Sequence, residues 1–283
     1  MTSGRCSEMS LEAGESLTAT ATTAEHWLLV EVAGSWPRDV SVDGVLPAPA
    51  HEAVTRWLER MPSSKLLFIR RPGRGVARSL AFVVHASETT TSVKRIELAD
   101  LADLGDTDLG RDGDRVDRRL VLVCGHGSRD ACCALRGVAV YGALTKVLDD
   151  DEELWISSHQ GGHRFAANVL LLPIGLQLGR IEPDEAAVVV GDALSGRIEL
   201  DRYRGRTCYP PVAQAAERVV REALELERVA DLHLVGIEGQ VVRLRGQDGS
   251  EHEASVDEIV GPMVPASCGV EPEPQKSFRA RLV

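Results

Sequence analysis

Two short apolar stretches constrain this chain more than anything else in it. LVLV at 120–123 and LWIS at 154–157 have the length and composition of strands buried in a parallel sheet. The stretch between them, about 133–148, has Leu135, Val138, Ala139 and Gly142 on one helical face and Val140, Leu144, Val147 and Leu148 on the other. A helix apolar on two sides is expected to lie sandwiched between other elements. Strand, helix and strand in this order predict a parallel crossover unit, because parallel strands cannot be joined by a tight turn.

The rest of the chain reads around that unit. Upstream, 26–32 (HWLLVEV) and 65–70 (KLLFIR) predict strands. Between them Val54, Trp57, Leu58 and Met61 recur at helical spacing behind Pro47 and Pro49. Two further strands are expected at 80–84 and 93–98, then a loop or linker where Gly and charge accumulate at 105–118. Downstream, Pro183 with Asp184 and Glu185 marks a first helical turn, and 212–226 predicts another helix, charged on one side. Val242 and Leu244 alternate with Arg243 and Arg245 before Asp248-Gly249, which signals a hairpin. The expected division is an N-terminal α/β domain at 1–105, a linker at 106–117, a second α/β domain at 118–230, and a β-hairpin extension with a tail at 231–283. No internal repeat is present at the sequence level.

Composition narrows the function classes. The 283 residues have room for two modest domains, and with aromatics at 4% the cores must be built from Val, Leu, Ala and Ile. The net charge is -11 and no long basic face exists, which argues against nucleic acid as a partner. The acidic run at 149–153 reads as a solvated loop. The first 17 residues lack the layout of a signal peptide, and the longest apolar candidate, 169–178, is broken by Pro173 and Gly175. These features predict a cytoplasmic protein with no membrane span. In a reducing compartment the six cysteines are expected to be ligands or reactive thiols rather than disulfides.

The chemistry concentrates in CGHGSRDACC at 124–133 and SHQGGHR at 158–164. Cys124 stands where a strand ends, and Cys132-Cys133 where a helix begins. His159 and His163 stand in a glycine-containing loop after the neighbouring strand. The carboxyl ends of adjacent strands form the default crevice of an α/β sheet, so these soft and borderline ligands converge there. There is no Cys-x-x-Cys, and Arg129 is one residue too close to Cys124 for a cysteine phosphatase loop. Nucleophile-elbow, Walker and dinucleotide glycine patterns are absent too. Two cysteines with two histidines also suit zinc, although the eight residues between Cys124 and Cys133 are wide for a structural site. Cys6, Cys208 and Cys268 are too scattered to form a further site on spacing alone.

These segments resemble a known family. CGHGSRDACCALRG at 124–137, SHQGGHRFAANVLLLPIG at 158–175 and SCG at 267–269 resemble the sucrase/ferredoxin-like family, a branch of the thioredoxin-like [2Fe-2S] ferredoxins. WLLVEV at 27–32 and LLFIRRPGR at 66–74 resemble it too, so the likeness spans nearly the whole chain. It implies an α/β fold, with a thioredoxin-like ferredoxin domain at 118–230, an N-terminal α/β domain and a C-terminal β-rich extension. It also implies Cys124, Cys133, His159 and His163 as ligands of a [2Fe-2S] cluster, the histidines standing where other members carry a second cysteine pair. The family's spacing favours Cys133, with Cys132 as the alternative ligand. Gly125, Gly127, Gly161 and Gly162 would bring backbone N–H groups to the cluster. His126 either bonds a cluster sulfide or fills the turn. Arg129 and Arg164 make structural ion pairs or offset sulfide charge. The implied function is one-electron transfer with a redox partner protein rather than substrate conversion. A structural zinc protein or an iron-sulfur sensor on the same residues are the alternatives. No carboxylate pair supports the word "sucrase" in the family's name.

Overall fold

Strand pairing follows the apolar runs in the computed structural model, which describes residues 4–41, 44–73, 78–148 and 153–283. Arg74 and the acidic residues 149–152, both noted above, lie outside the described residues. The first half of the chain consists of α1 (Cys6–Glu12), β1 (His26–Glu31), α2 (Ala48–Arg60), β2 (Ser64–Arg70), β3 (Ser79–Ala86), β4 (Thr91–Leu98) and the short β5 (Asp114–Val116). Next come β6 (Leu120–Cys124), α3 (Ala131–Leu144), β7 (Leu154–Ser157), β8 (Val169–Leu172), β9 (Leu176–Leu178), α4 (Ala186–Leu194), β10 (Tyr203–Arg206) and α5 (Pro211–Leu224). The last four strands are β11 (Leu232–Glu238), β12 (Val241–Gly246), β13 (Glu251–Pro265) and β14 (Pro272–Leu282).

The expected crossover unit is present. β6 and β7 pair in parallel from Val121↔Leu154 to Cys124↔Ser157, with every residue of both strands buried. Asp130 starts α3 two residues earlier than expected: its carboxylate accepts the Cys132 N–H at 2.8 Å and so satisfies a free donor of the first turn. The helix ends at Leu144 rather than 148, and 145–147 continue as turns. It is also less enclosed than its composition predicts. Cys132, Cys133, Gly137, Val140 and Leu144 are buried, whereas Leu135 and Val138 face solvent.

The two halves of the chain share one sheet. Its ten strands run in the order β10-β9-β8-β6-β7-β2-β1-β3-β4-β5, joined at the middle where β2 meets β7 through Ile69↔Ser157 and Arg70↔Ile156. The segment 106–117, expected as a linker, supplies β5, which pairs with β4 at Val93↔Val116. Lys94 reaches across to the carbonyls of Gly110 and Arg111 at 2.7 and 3.1 Å and holds that segment against the sheet. One apolar cluster contains Trp27 and Phe82 from the first half together with Leu122, Trp155 and Leu170 from the second.

The C-terminal region is a separate four-stranded antiparallel sheet, β11-β12-β13-β14, in which the strands flanking the expected Asp248-Gly249 turn, β12 and β13, form the second pair. The tail is a full strand of this sheet. Helix α5 covers it with Ala213, Ala216 and Val220 against Leu232, Val242, Leu244 and Val256. The architecture is thus mixed α/β, with one large mixed sheet and one small antiparallel sheet. No helix among the described residues is long and apolar enough to cross a membrane.

Candidate metal centre

Parallel pairing brings the ends of β6 and β7 to the same rim of the sheet. Cys124 is the last residue of β6, and its successor Gly125 donates its N–H to the Ser157 carbonyl at 3.0 Å. Helix α3 returns directly over this strand end. A Cβ on Gly137 would lie 2.0 Å from the Cys124 carbonyl oxygen, so only glycine permits this approach. Cys133 is one helical turn before Gly137 and on the same face, which sets its thiol beside that of Cys124.

The histidine loop is built by hydrogen bonds from the sheet. Ser158 pairs with Phe68 through its N–H (2.7 Å) and its hydroxyl oxygen (2.9 Å). The Gln160 side chain donates to the Leu122 carbonyl and the Ser157 hydroxyl, both at 2.7 Å. Gly161 and Gly162 then turn the backbone with φ of 90° and 70°, the left-handed region. Arg204, fully buried on β10, clamps the turn by donating to the Gly161 carbonyl at 3.0 Å and the Asn168 side chain at 2.9 Å. The rings of His159 and His163 come to rest 4.7 Å apart, tilted by 33°.

Ligand atoms of Cys124, Cys133 and His159 lie within 4.8 Å of one another. Both thiols are buried, and they share a hydrogen bond. That bond from Cys133 pulls Cys124 well below the ordinary thiol range, helped by His159. The same bond, with burial, pushes Cys133 well above it. The shared bond thus favours the thiolate at Cys124 and the thiol at Cys133. His163 stands one ring beyond His159, and its Nε2 is 4.0 Å from Asp130. Burial first, then the neighbouring His159, lowers its pKa and favours the neutral ring. Nδ1 of both histidines is buried without a hydrogen-bond partner among the described residues. An unsatisfied buried nitrogen costs about 1–3 kcal/mol, and with His159 grouped with the two thiols and His163 next to it such atoms fit a site completed by a metal, although His163 itself lies outside the group of three.

The other expected residues fall in different places. Cys132, the alternative ligand, does not join Cys124: its sulfur is 3.6 Å from that of Cys6 and 3.3 Å from that of Cys268. His126 bridges two segments, its Nε2 at 2.7 Å from the Pro37 carbonyl and its Nδ1 accepting the His159 N–H at 3.2 Å. Gly125 and Gly127 allow close packing: a Cβ there would meet Ile156 at 2.8 Å and Ala134 at 3.1 Å. Arg164 forms an ion pair with the buried Glu15 at 2.7 and 2.9 Å. Sequence reasoning missed Gly137, Arg204, Asn168 and Glu15. Only Gly137 carries a local signal, a glycine inside an otherwise helical pattern. On the solvent side, His126 and His159 line a cleft of about 420 Å³ with Asp39, Ser41, Lys65 and Arg129.

A sequence model of the sucrase/ferredoxin-like family matches residues 17–205, a span that holds all four expected ligands. Among curated proteins, the chain is similar to altered inheritance of mitochondria protein 32 of Debaryomyces hansenii, 32% identical over 112 residues, which are 36% of this chain and 38% of that one. It is similar to the protein of the same name from Meyerozyma guilliermondii, 34% identical over 95 residues, 30% of this chain and 34% of that one. The Saccharomyces kudriavzevii protein is 32% identical over 105 residues, 33% and 34% of the two chains. The chain thus spans little more than a third of the length of these relatives. No solved structure matches. These relatives correct the expectation of a one-electron carrier. They are named for altered inheritance of mitochondria and not as electron carriers, and their names give no better support to the zinc or sensor alternatives.

Proposed function

The chain belongs to the sucrase/ferredoxin-like family, and from that premise we propose that it binds a [2Fe-2S] cluster through Cys124, Cys133, His159 and His163. On this reading the strands and helices around β6 and β7 are a thioredoxin-like ferredoxin unit set into the larger sheet. The observation that carries the reading is the convergence of two buried thiols and His159 within 4.8 Å, with both imidazole Nδ1 atoms buried and unpartnered among the described residues. The cluster would be a di-iron centre that two neutral imidazoles leave less negative than four thiolates would.

The chain's own residues prepare such a site. The hydrogen bond from Cys133 favours the thiolate at Cys124, the form that binds metal. Gly137 lets α3 present the second sulfur, while Arg204 and Asn168 hold the histidine loop in one conformation. His126 fixes the backbone of His159 from the other side. All six cysteines are free.

The full chain, purified without oxygen, is expected to carry iron and acid-labile sulfide in equal amounts and to absorb visible light. Cys124→Ser or Cys133→Ser should remove both, because a hydroxyl replaces thiolate poorly as a soft ligand. Cys132→Ser should leave both in place. A colourless chain whose zinc disappears with Cys124→Ser would overturn the cluster.

A further inference from the structure

Three cysteines that sequence spacing leaves unconnected meet in space. Cys6 opens α1, Cys132 lies in the first turn of α3, and Cys268 sits between β13 and β14. Their sulfurs are 3.6 Å (Cys6 to Cys132), 3.3 Å (Cys132 to Cys268) and 3.5 Å (Cys268 to Cys6) apart. The Asp130 carboxylate closes the group, with oxygens 3.7 Å from the Cys6 sulfur and 3.3 Å from that of Cys268. Cys6, Cys132 and Asp130 are buried and Cys268 is half-buried.

These distances match the edges of one coordination tetrahedron. An ion about 2.3 Å from each thiolate and about 2.0–2.2 Å from a carboxylate oxygen sets sulfur–sulfur edges near 3.8 Å and sulfur–oxygen edges near 3.5 Å. The observed group needs to open by only a few tenths of an ångström. A [2Fe-2S] cluster would hold two of its four terminal ligands on each iron and so set the two pairs farther apart than these four groups, whose ligand atoms all lie within 4.8 Å of one another. A disulfide would use two of the sulfurs and leave the third thiol out. Packing of cysteines as small apolar groups is the plainest alternative, and it does not account for a carboxylate that, besides capping α3, sets oxygens 3.3 Å from one sulfur and 3.7 Å from another.

The surroundings orient these ligands as the outer contacts of a metal site do. Asp130 accepts the N–H groups of Cys132 and Cys268, both at 2.8 Å, and the Ser267 hydroxyl at 3.2 Å. The Ser7 hydroxyl donates to the Cys132 sulfur at 3.3 Å. We propose that Cys6, Asp130, Cys132 and Cys268 form a second, mononuclear site for a soft divalent ion of the zinc type. The ion ties the N-terminal helix and the turn before β14 to the start of α3. The next residue of that helix, Cys133, belongs to the first centre, so the second site holds one wall of the first.

The test is metal content and thiol accessibility in the full chain. Purified protein is expected to hold a single equivalent of zinc beyond any iron. Cys6→Ala combined with Cys268→Ala should lose that zinc and keep iron and sulfide, whereas Cys124→Ser should do the reverse. Failure of the cluster reading and failure of this one are therefore separable. Should the double variant not fold, the unaltered chain still decides. Alkylation followed by peptide mapping should find Cys6, Cys132 and Cys268 protected until a chelator is added, and protected again after Zn²⁺ alone is returned. Zinc that survives the double substitution, a chelator-independent alkylation pattern, or a disulfide among the three thiols would overturn the site.

Discussion

Cys208 shows how a single thiol reports its surroundings. Burial raises its pKa from 9.0 to about 11, with Glu88 and Glu217 adding to the rise and Arg206 opposing it. The thiolate is the nucleophile, so alkylation at Cys208 should climb about tenfold per pH unit up to about pH 11. In the unfolded chain the climb should level off near pH 9. Because the folded pKa is the higher one, the stability this group contributes is fully present below pH 9 and is lost as pH rises toward 11. Peptide-mapped alkylation rates at several alkaline pH values check this, and a plateau near 9 in the folded chain would refute it. The meeting of Cys124, Cys133 and His159 could be read from the sequence because the two cysteines lie within ten residues of each other and both segments follow strand ends. The second thiol group could not, because Cys6 and Cys268 are 262 residues apart and only the folded chain brings them together.

Helix α3 and strand β6 are the elements whose contact brings Cys133 to Cys124. Gly137→Ala should force them apart, since the atom in the way is a backbone oxygen that cannot move aside. Overpacking of this kind costs about 1–3 kcal/mol and should carry Cys133 away from Cys124. Denaturant midpoint and iron content should therefore fall together, and a stable Gly137→Ala chain with full iron would show that the helix has room to shift. The crossover unit was legible because apolar runs of strand length flank a helical pattern, and this held even though α3 starts at Asp130's cap. Helix α5 was legible as a helix but not as a buried one. Glu217 and Arg221 are among the charged residues of this helix, yet both are fully buried. They pair at 2.8 Å, and Glu217 also accepts the Tyr203 hydroxyl at 2.7 Å. Nothing local in the sequence distinguishes them from Arg218 and Glu222, the pair beside them, of which Arg218 is half-buried and Glu222 exposed.

At the scale of the whole molecule, the ten-stranded sheet joins what composition divides. The glycine- and charge-rich 106–117 looks like a boundary, but the partners that bridge the halves, β2 and β7, are separated by more than eighty residues and their pairing leaves no local mark. Phe82 and Trp155 meet across the seam with ring centroids 5.8 Å apart. The two halves should consequently unfold in one cooperative step, and segments 1–117 and 118–283 expressed apart should each be unstable. Calorimetry of the full chain resolving two independent transitions at this boundary would contradict that. So wide a sheet would ordinarily offer neighbouring molecules two long templates for strand addition. Here it ends in β5, three residues long, and β10, four residues long. The longer border of the small sheet, β14, carries Pro272, Pro274, Lys276, Arg279 and Arg281. Prolines that cannot donate and cations that repel their own kind make a poor template for another copy. Ten strands can thus lie in one layer of a single molecule without seeding a fibre.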